Sequence, residues 1–279
     1  GQTNQRTQRI LLLPEGAPKP VDAEWDKEID GKVERVVTLA SSHAGHFANL
    51  DAIDTIVGTS LSASSCEIPE LKKALEEGAV QTLSSQKAED GTKYFDQEVV
   101  AALNPQVIFV GGMQADVTVA QKLEESGMTC VYIGDFAEKD YKGRAQWIEL
   151  FGAFIDKEEQ GNEFLKAGIK KAEEVIERAK TLEDKPKVLW FNSSKAPWSV
   201  KTDKDYTFIE DLGGTVLCPE TEDNAISLQS EEFLTYLQQA DKILYGNSLK
   251  YIDFANGDDI TTLNIDGQID FSTTPAYQN

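Results

Sequence analysis

The hydrophobic positions of this chain fall in short clusters, and the spacing within the clusters changes along the sequence. Arg35–Leu39 reads as a strand, followed by the polar turn Ala40–His43 and a helix through Leu50. Thr55–Gly58 is a second short strand, and Glu70–Glu77 and Gln97–Leu103 have helical spacing. Asn104-Pro105 ends the latter, because proline cannot continue the helical ladder. Val107–Val110 is apolar at every position and runs into Gly111-Gly112. Val117–Ser126 is a helix with Gly127 at its C-cap, and Thr129–Ile133 is the next strand. Strands alternating with helices, with continuous apolar runs, predict a parallel sheet covered on both faces.

From Tyr141 to about Glu183 the period switches. Trp147, Ile148, Phe151, Phe154 and Ile155 recur at helical spacing, and Phe164, Leu165, Ile169, Ala172, Val175, Ile176 and Ala179 continue it. Unbroken, that stretch makes a rod of ~60 Å, but a break or bend is expected near Asp156 and Gly161. After Lys185-Pro186 the alternation resumes. Strands are predicted at Lys187–Asn192, Thr215–Leu217 and Lys242–Tyr245, helices at Tyr206–Leu212 and Ser230–Gln239, and a loop at Ser193–Val200. The two halves echo each other: RVVTLASSH (35–43) answers KVLWFNSSK (187–195), each a basic residue, an apolar strand and a Ser-Ser turn. The pattern predicts an α/β protein of two Rossmann-like lobes with parallel sheets joined by a long helix. Its divisions are an N-terminal tail over 1–32 with one short edge strand at Ile10–Leu13, a lobe over 33–138, a spine helix over 139–184 and a second lobe over 185–279. Ligands of parallel sheets bind at the C-terminal strand ends, so an interlobe cleft is the expected site.

A length of 279 residues suits two modest lobes. No stretch approaches the ~20 apolar residues of a membrane span. The opening GQTNQRTQR has no apolar core of a signal peptide and reads as a mature or trimmed terminus. The formal net charge of −21 is spread along the chain. Such a field repels phosphate backbones and anionic lipid, so nucleic acid is not an expected partner. The three cysteines, Cys66, Cys130 and Cys218, form no C-x-x-C pair, which leaves neither a zinc knuckle nor a redox motif. There is no G-x-S-x-G, P-loop or H-E-x-x-H, so no catalytic residue, metal site or cofactor is assigned and the chain is not read as an enzyme.

Several stretches in order carry a family resemblance: RVVTLASSH with LDAIDTIVG, YFDQEVVAALNPQVIFVGG, GRAQWIELFGAFIDKEEQGNEF, KPKVLWFN, FIEDLGGTVL and SLQSEEFLTYLQQADKILYG. Together they resemble the class III, helix-spined periplasmic binding proteins that serve ABC importers of ferric siderophores, haem and cobalamin; Ile133–Phe154 looks most like the siderophore branch. The resemblance implies an extracytoplasmic monomer, free or tethered through an N-terminal lipid anchor. It captures an iron chelate or, alternatively, haem or a corrinoid, and delivers it to an ABC permease with its ATPases. It further implies that one exposed glutamate per lobe, Glu98 and Glu232, docks onto permease arginines; the bland alternative is two helix N-terminal carboxylates favoured by the dipole. The chain departs from the family pattern at Gln106, where an Asp is usual, and ends at PAYQN where the second lobe ordinarily continues, so the sequence reads as partial.

The predicted strand-end loops supply the ligand candidates Ser42, His43, Ser62, Gly112 and Met113 in the first half and Ser194, Trp198, Lys201 and Asn247 in the second. Trp198 offers a flat apolar face and one N–H to a chelate, or packs on its own lobe. Lys195 and Lys201 meet an anionic chelate or stay solvated. His43 and His46 are spaced to share an ion, but no acidic residue lies in their turn, so His43 is read as a hydrogen-bonding residue of the cleft. No arginine lies in these loops, which disfavours polycarboxylates and leaves hydroxamate, catecholate or corrinoid. Two other classes stay open. A metallocluster-linked reductase component needs cysteines on lobe-facing loops, where Cys66 is a partial fit. A sensory domain would use the same fold to report ligand.

Overall fold

A computed structural model describes residues 8–89, 91, 93–193, 196–202 and 208–246, apart from the side chain of Gln114. The chain divides into two compact units. The first comprises the described residues up to Ala137 together with Gly143–Gly168, and the second comprises Glu138–Lys142 and the described residues from Ile169 onward.

In the first unit β1 (Ile10–Leu13) pairs in parallel with β2 (Lys27–Asp30). Then follow β3 (Val36–Thr38), α1 (Ser41–Asn49), β4 (Ile56–Thr59), α2 (Pro69–Glu76), β5 (Gln81–Thr82), β6 (Gln86–Lys87), β7 (Lys93–Tyr94), α3 (Gln97–Ala102), β8 (Val107–Gly111), α4 (Gln114–Glu125) and β9 (Cys130–Ile133). The main sheet has the order β5-β4-β3-β8-β9, all parallel. The chain enters at the centre, moves to one edge through β4 and β5, and returns to the centre at β8. The order therefore reverses between β3 and β8, so the loops leaving these neighbours diverge and open a crevice at their C-terminal ends.

The apolar run in β8 is buried on both faces, as its composition requires. Ile108 and Val110 pack with Val37, Val119, Ala120 and Leu123 on one side. Phe109 faces the other, against Phe47, Phe151 and Phe154 at ring distances of 5.7, 4.8 and 5.2 Å. Gly58 in β4 has no room for a side chain, since a Cβ would come within 2.6 Å of the Leu103 Cδ1. Gln106 fastens the entry to β3. Its Oε1 accepts from the Glu34 and Arg35 amides at 2.7 and 3.1 Å, and its Nε2 donates to the Lys32 carbonyl at 3.1 Å.

The segment expected as a tail is tied down from residue 8 onward. The Gln8 Nε2 donates to the Cys130 carbonyl at 3.1 Å and its Oε1 accepts from the Tyr132 amide at 3.2 Å, the pair of edge groups that a sixth strand would use. Lys27 adds a bond to the same carbonyl at 2.7 Å and an ion pair with Glu124.

The spine segment forms two helices, α5 (Tyr141–Phe154) and α6 (Glu158–Lys180), with a break beside Asp156. Asp156 takes a left-handed φ of 54° at the break. Gly152 is needed there, because a Cβ would lie 2.8 Å from the Lys157 carbonyl oxygen. Gly161 lies within α6, where a Cβ would sit 3.2 Å from the Ile148 carbonyl oxygen. The 23 residues of α6 give a helix of ~35 Å, whose first half belongs to the first unit and second half to the other.

The second unit contains β10 (Lys187–Phe191), β11 (Trp198–Lys201), α7 (Phe208–Asp211), β12 (Thr215–Val216), β13 (Ala225–Leu228), α8 (Ser230–Leu237) and β14 (Lys242–Tyr245). β12 and β14 pair in parallel with β10. An antiparallel pair, β11 and β13, extends the sheet beyond the last residue of β10. These two strands replace part of what the sequence predicts as loop.

Candidate functional site

The C-terminal end of the first sheet, where the sequence places the candidate site, is assembled from the loops after β3, β4, β8 and β9. Ser42 is exposed in the first turn of α1. Ser62 is half-buried after β4, its hydroxyl shared with Ser64 and Ser65 at 3.0 and 2.9 Å. Gly112 and Met113 lead from β8 into α4. Asp116 closes a reciprocal cap there: its amide donates to the Met113 carbonyl, and its carboxyl accepts from the Met113 backbone. Burial against Gly111 pushes that carboxyl above the usual range, and the Met113 hydrogen bond and the charge of Lys93 oppose the shift.

Phe136, within the strand-end loop Gly134–Phe136 expected from sequence but not singled out there, and Arg144, which was not expected, join this end. Phe136, just past β9, is 38% exposed, and a Cβ on Gly112 would lie 3.3 Å from its ring. Arg144 in α5 donates from Nη2 to the Phe136 carbonyl at 3.1 Å. The available signal was an aromatic side chain standing in a short polar loop directly after a strand.

His43 is a correction. It is read from sequence as a cleft residue, yet it is fully buried. It occupies the inward row of α1 with Phe47, 5.8 Å from the Phe151 ring, and neither ring nitrogen has a hydrogen bond of ordinary geometry. Burial pushes its pKa down to about 4, opposed by the charge of Asp135 and by the Phe109 backbone. His46 stacks on Phe151 at 4.7 Å and is held below the ordinary histidine range, again by burial against the pull of Asp135. Both imidazoles are therefore neutral at physiological pH.

Trp198 is a second correction. It is 2% exposed and begins β11. It stacks on Phe233 at 4.5 Å with the rings 10° from parallel, and packs edge-on to Phe191 at 5.7 Å. It is a core side chain of the second unit because α8 covers that face of the sheet. Lys201 is half-buried at the far end of the same strand. Ser194, Lys195 and Asn247 lie outside the described residues.

Glu98 and Glu232 are both exposed in the first turns of α3 and α8. Asp96 fixes the start of α3 by accepting from the Glu98 and Val99 amides at 2.9 and 3.3 Å. A groove of about 570 Å³ lined by Gln86, Tyr94, Glu98 and Lys122 runs beside it. Another, of about 480 Å³, lies along α6 in the second unit; its lysines, Lys142 and Lys180, are already paired with Glu173 and Glu177 at 2.9 and 2.6 Å. Neither groove is at the strand ends. Cys66 is buried, with Sγ 3.6 Å from the Ile68 carbonyl, so it is not presented to a cluster.

Two compact units, one on a parallel sheet with an open switch point, one on a mixed sheet, with a long helix contributing to both, define the two-lobed α/β binding proteins. The model of the periplasmic binding protein family matches residues 36–279, and the chain belongs to that family. An uncharacterized lipoprotein of Methanocaldococcus jannaschii is 26% identical over 191 residues, covering 66% of this chain and 47% of the relative. The chain thus spans about half the length of the curated relatives it matches. Among solved structures, a possible iron-binding (periplasmic solute-binding) protein from Staphylococcus epidermidis matches with TM-score 0.61 and 17% identity, covering 89% of this chain and 88% of the other. The periplasmic vitamin B12 binding protein of Vibrio cholerae matches with TM-score 0.60 and 16% identity, covering 88% and 85%.

Proposed function

We propose that this chain is the solute-binding component of an ABC importer, working outside the cytoplasmic membrane on a lipid anchor, and that it captures an iron chelate of the ferric-siderophore kind. The observation that carries the reading is the switch point between β3 and β8. Its rim holds exposed Ser42 and Met113 and half-buried Gly112, while the nearby histidines, His43 buried and His46 half-buried, are in neutral form. That combination suits holding a guest rather than moving protons on it. The lipoprotein relatives support the anchor, and the iron-binding structural relative supports the cargo. The vitamin B12 relative makes a corrinoid the second reading.

Glu98 and Glu232 are the proposed contacts to the permease. Each projects a carboxylate from a helix start into water, where charge complementarity guides encounter. The reductase alternative loses its support with Cys66 buried. The test is a thermal-shift and native mass spectrometry series with a ferric trihydroxamate, a ferric tris-catecholate, haem and cobalamin. A raised transition and a one-to-one complex with a ferric chelate are expected. No shift with any of the four overturns the reading.

A further inference from the structure

We infer that the guest at this switch point is an uncharged or cationic chelate with an apolar periphery, and that Phe136 is a specificity-determining contact for it. The inference rests on the importer reading above and narrows its cargo. Met113 and Phe136 stand 60% and 38% exposed at the ends of neighbouring strands β8 and β9. The Phe136 ring lies against Gly112, and Met113 is the next residue along the chain. A side chain at Gly112 would press on the Phe136 ring and come within 3.2 Å of the Ile133 carbonyl oxygen. The strand ends thus form an apolar shelf with a glycine floor, suited to the hydrocarbon or ring face of a bulky guest.

The charges around the shelf leave no positive surplus. Asp116 and Asp135 contribute two carboxylates. Among the described residues, two cations stand against them: Lys93, whose charge acts on Asp116, and Arg144, whose Nη2 donates to the Phe136 carbonyl. His43 and His46 add none, being neutral, the first buried and the second half-buried. The chain as a whole carries −21. A polyanionic chelate approaching this end meets a repulsive long-range field, and the carboxylates of Asp116 and Asp135 oppose the pull of Lys93 and Arg144. A neutral or positive chelate of the same size is attracted or unaffected, and loses only the water on its apolar side.

The experiment titrates the full chain with two probes of similar size, a singly positive ferric trihydroxamate and a triply negative ferric tris-catecholate, at low and high salt. At low salt the trihydroxamate is expected to bind at least about tenfold tighter, with the gap shrinking as salt screens the field. Phe136→Ser, at an exposed position, is expected to weaken the trihydroxamate about tenfold while leaving the thermal midpoint of the free protein unchanged. Equal or tighter binding of the tris-catecholate, or an unchanged affinity in Phe136→Ser, overturns the inference and leaves the importer reading standing. Binding of neither probe, together with silence from haem and cobalamin, overturns the importer reading itself.

Discussion

Acidification is expected to destabilise the first unit through His43 before its carboxylates titrate. In the fold this imidazole is buried, lacks a hydrogen bond of ordinary geometry and has its pKa lowered from 6.5 to about 4. The unfolded chain binds the proton near 6.5, while the folded chain refuses it until about 4. Unfolded protein therefore holds more protons across that window, and stability falls as pH falls through it. The dependence is at half its full slope at pH 6.5 and fades about one unit above it. At pH 5 the loss is about 2 kcal/mol, and below pH 4 it reaches about 3 kcal/mol. Asp135 faces both His43 and His46 and moderates the effect, while His46 adds to it because its own pKa is also lowered by burial. The assay is urea denaturation at pH 7.5, 6 and 5 on wild type and His43→Phe, with the histidine ring resonances followed by NMR. The variant replaces the imidazole with an apolar ring of similar size beside Phe151 and is expected to lose most of the acid slope. Parallel slopes in the two proteins, or a His43 resonance titrating near 6.5, would refute the reasoning.

The other expectations concern separate parts of the fold. Trp198→Ala should cost the second unit about 3–5 kcal/mol in chemical denaturation, as large aromatic truncations in a core do; a change in chelate affinity with stability intact would return Trp198 to the binding surface. Gly152→Ala should cost about 1–3 kcal/mol of first-unit stability, because its new methyl meets a backbone oxygen at 2.8 Å; an unaltered melting curve would show that the α5–α6 turn yields freely. Glu98→Ala and Glu232→Ala should leave chelate affinity within twofold of wild type and abolish uptake in cells; weakened affinity would instead place them at the ligand.

What the sequence made legible follows the range of the forces involved. β3 and β8 are read correctly because each is built on an apolar run, Val36-Val37 and Val107–Val110, and a strand buried on both faces needs no partner's identity to be recognised. The α5–α6 break is foreshadowed by Asp156, though Gly161 serves helix packing instead. β11 and β13 escape because each offers only a short weak alternation, WSVK and AISL, and what makes them strands is pairing with each other across a turn. Trp198 is misplaced for the same reason. Its neighbours Ser, Lys and Pro look like a solvent loop, while its burial is decided by Phe233, supplied much later by α8. His43 is different, because a local signal was present. His43, Phe47 and Leu50 stand at i, i+4 and i+7, the row that a helix starting at Ser41 turns inward, and all three are fully buried. The Ser-Ser turn draws attention to polarity, but helical phase decides which residues face water. That phase leaves Ser42 on the rim and sends His43 into the core. It is also why the contacts proposed at this switch point are Met113 and Phe136, with Asp116 and Asp135 beside them, rather than an imidazole.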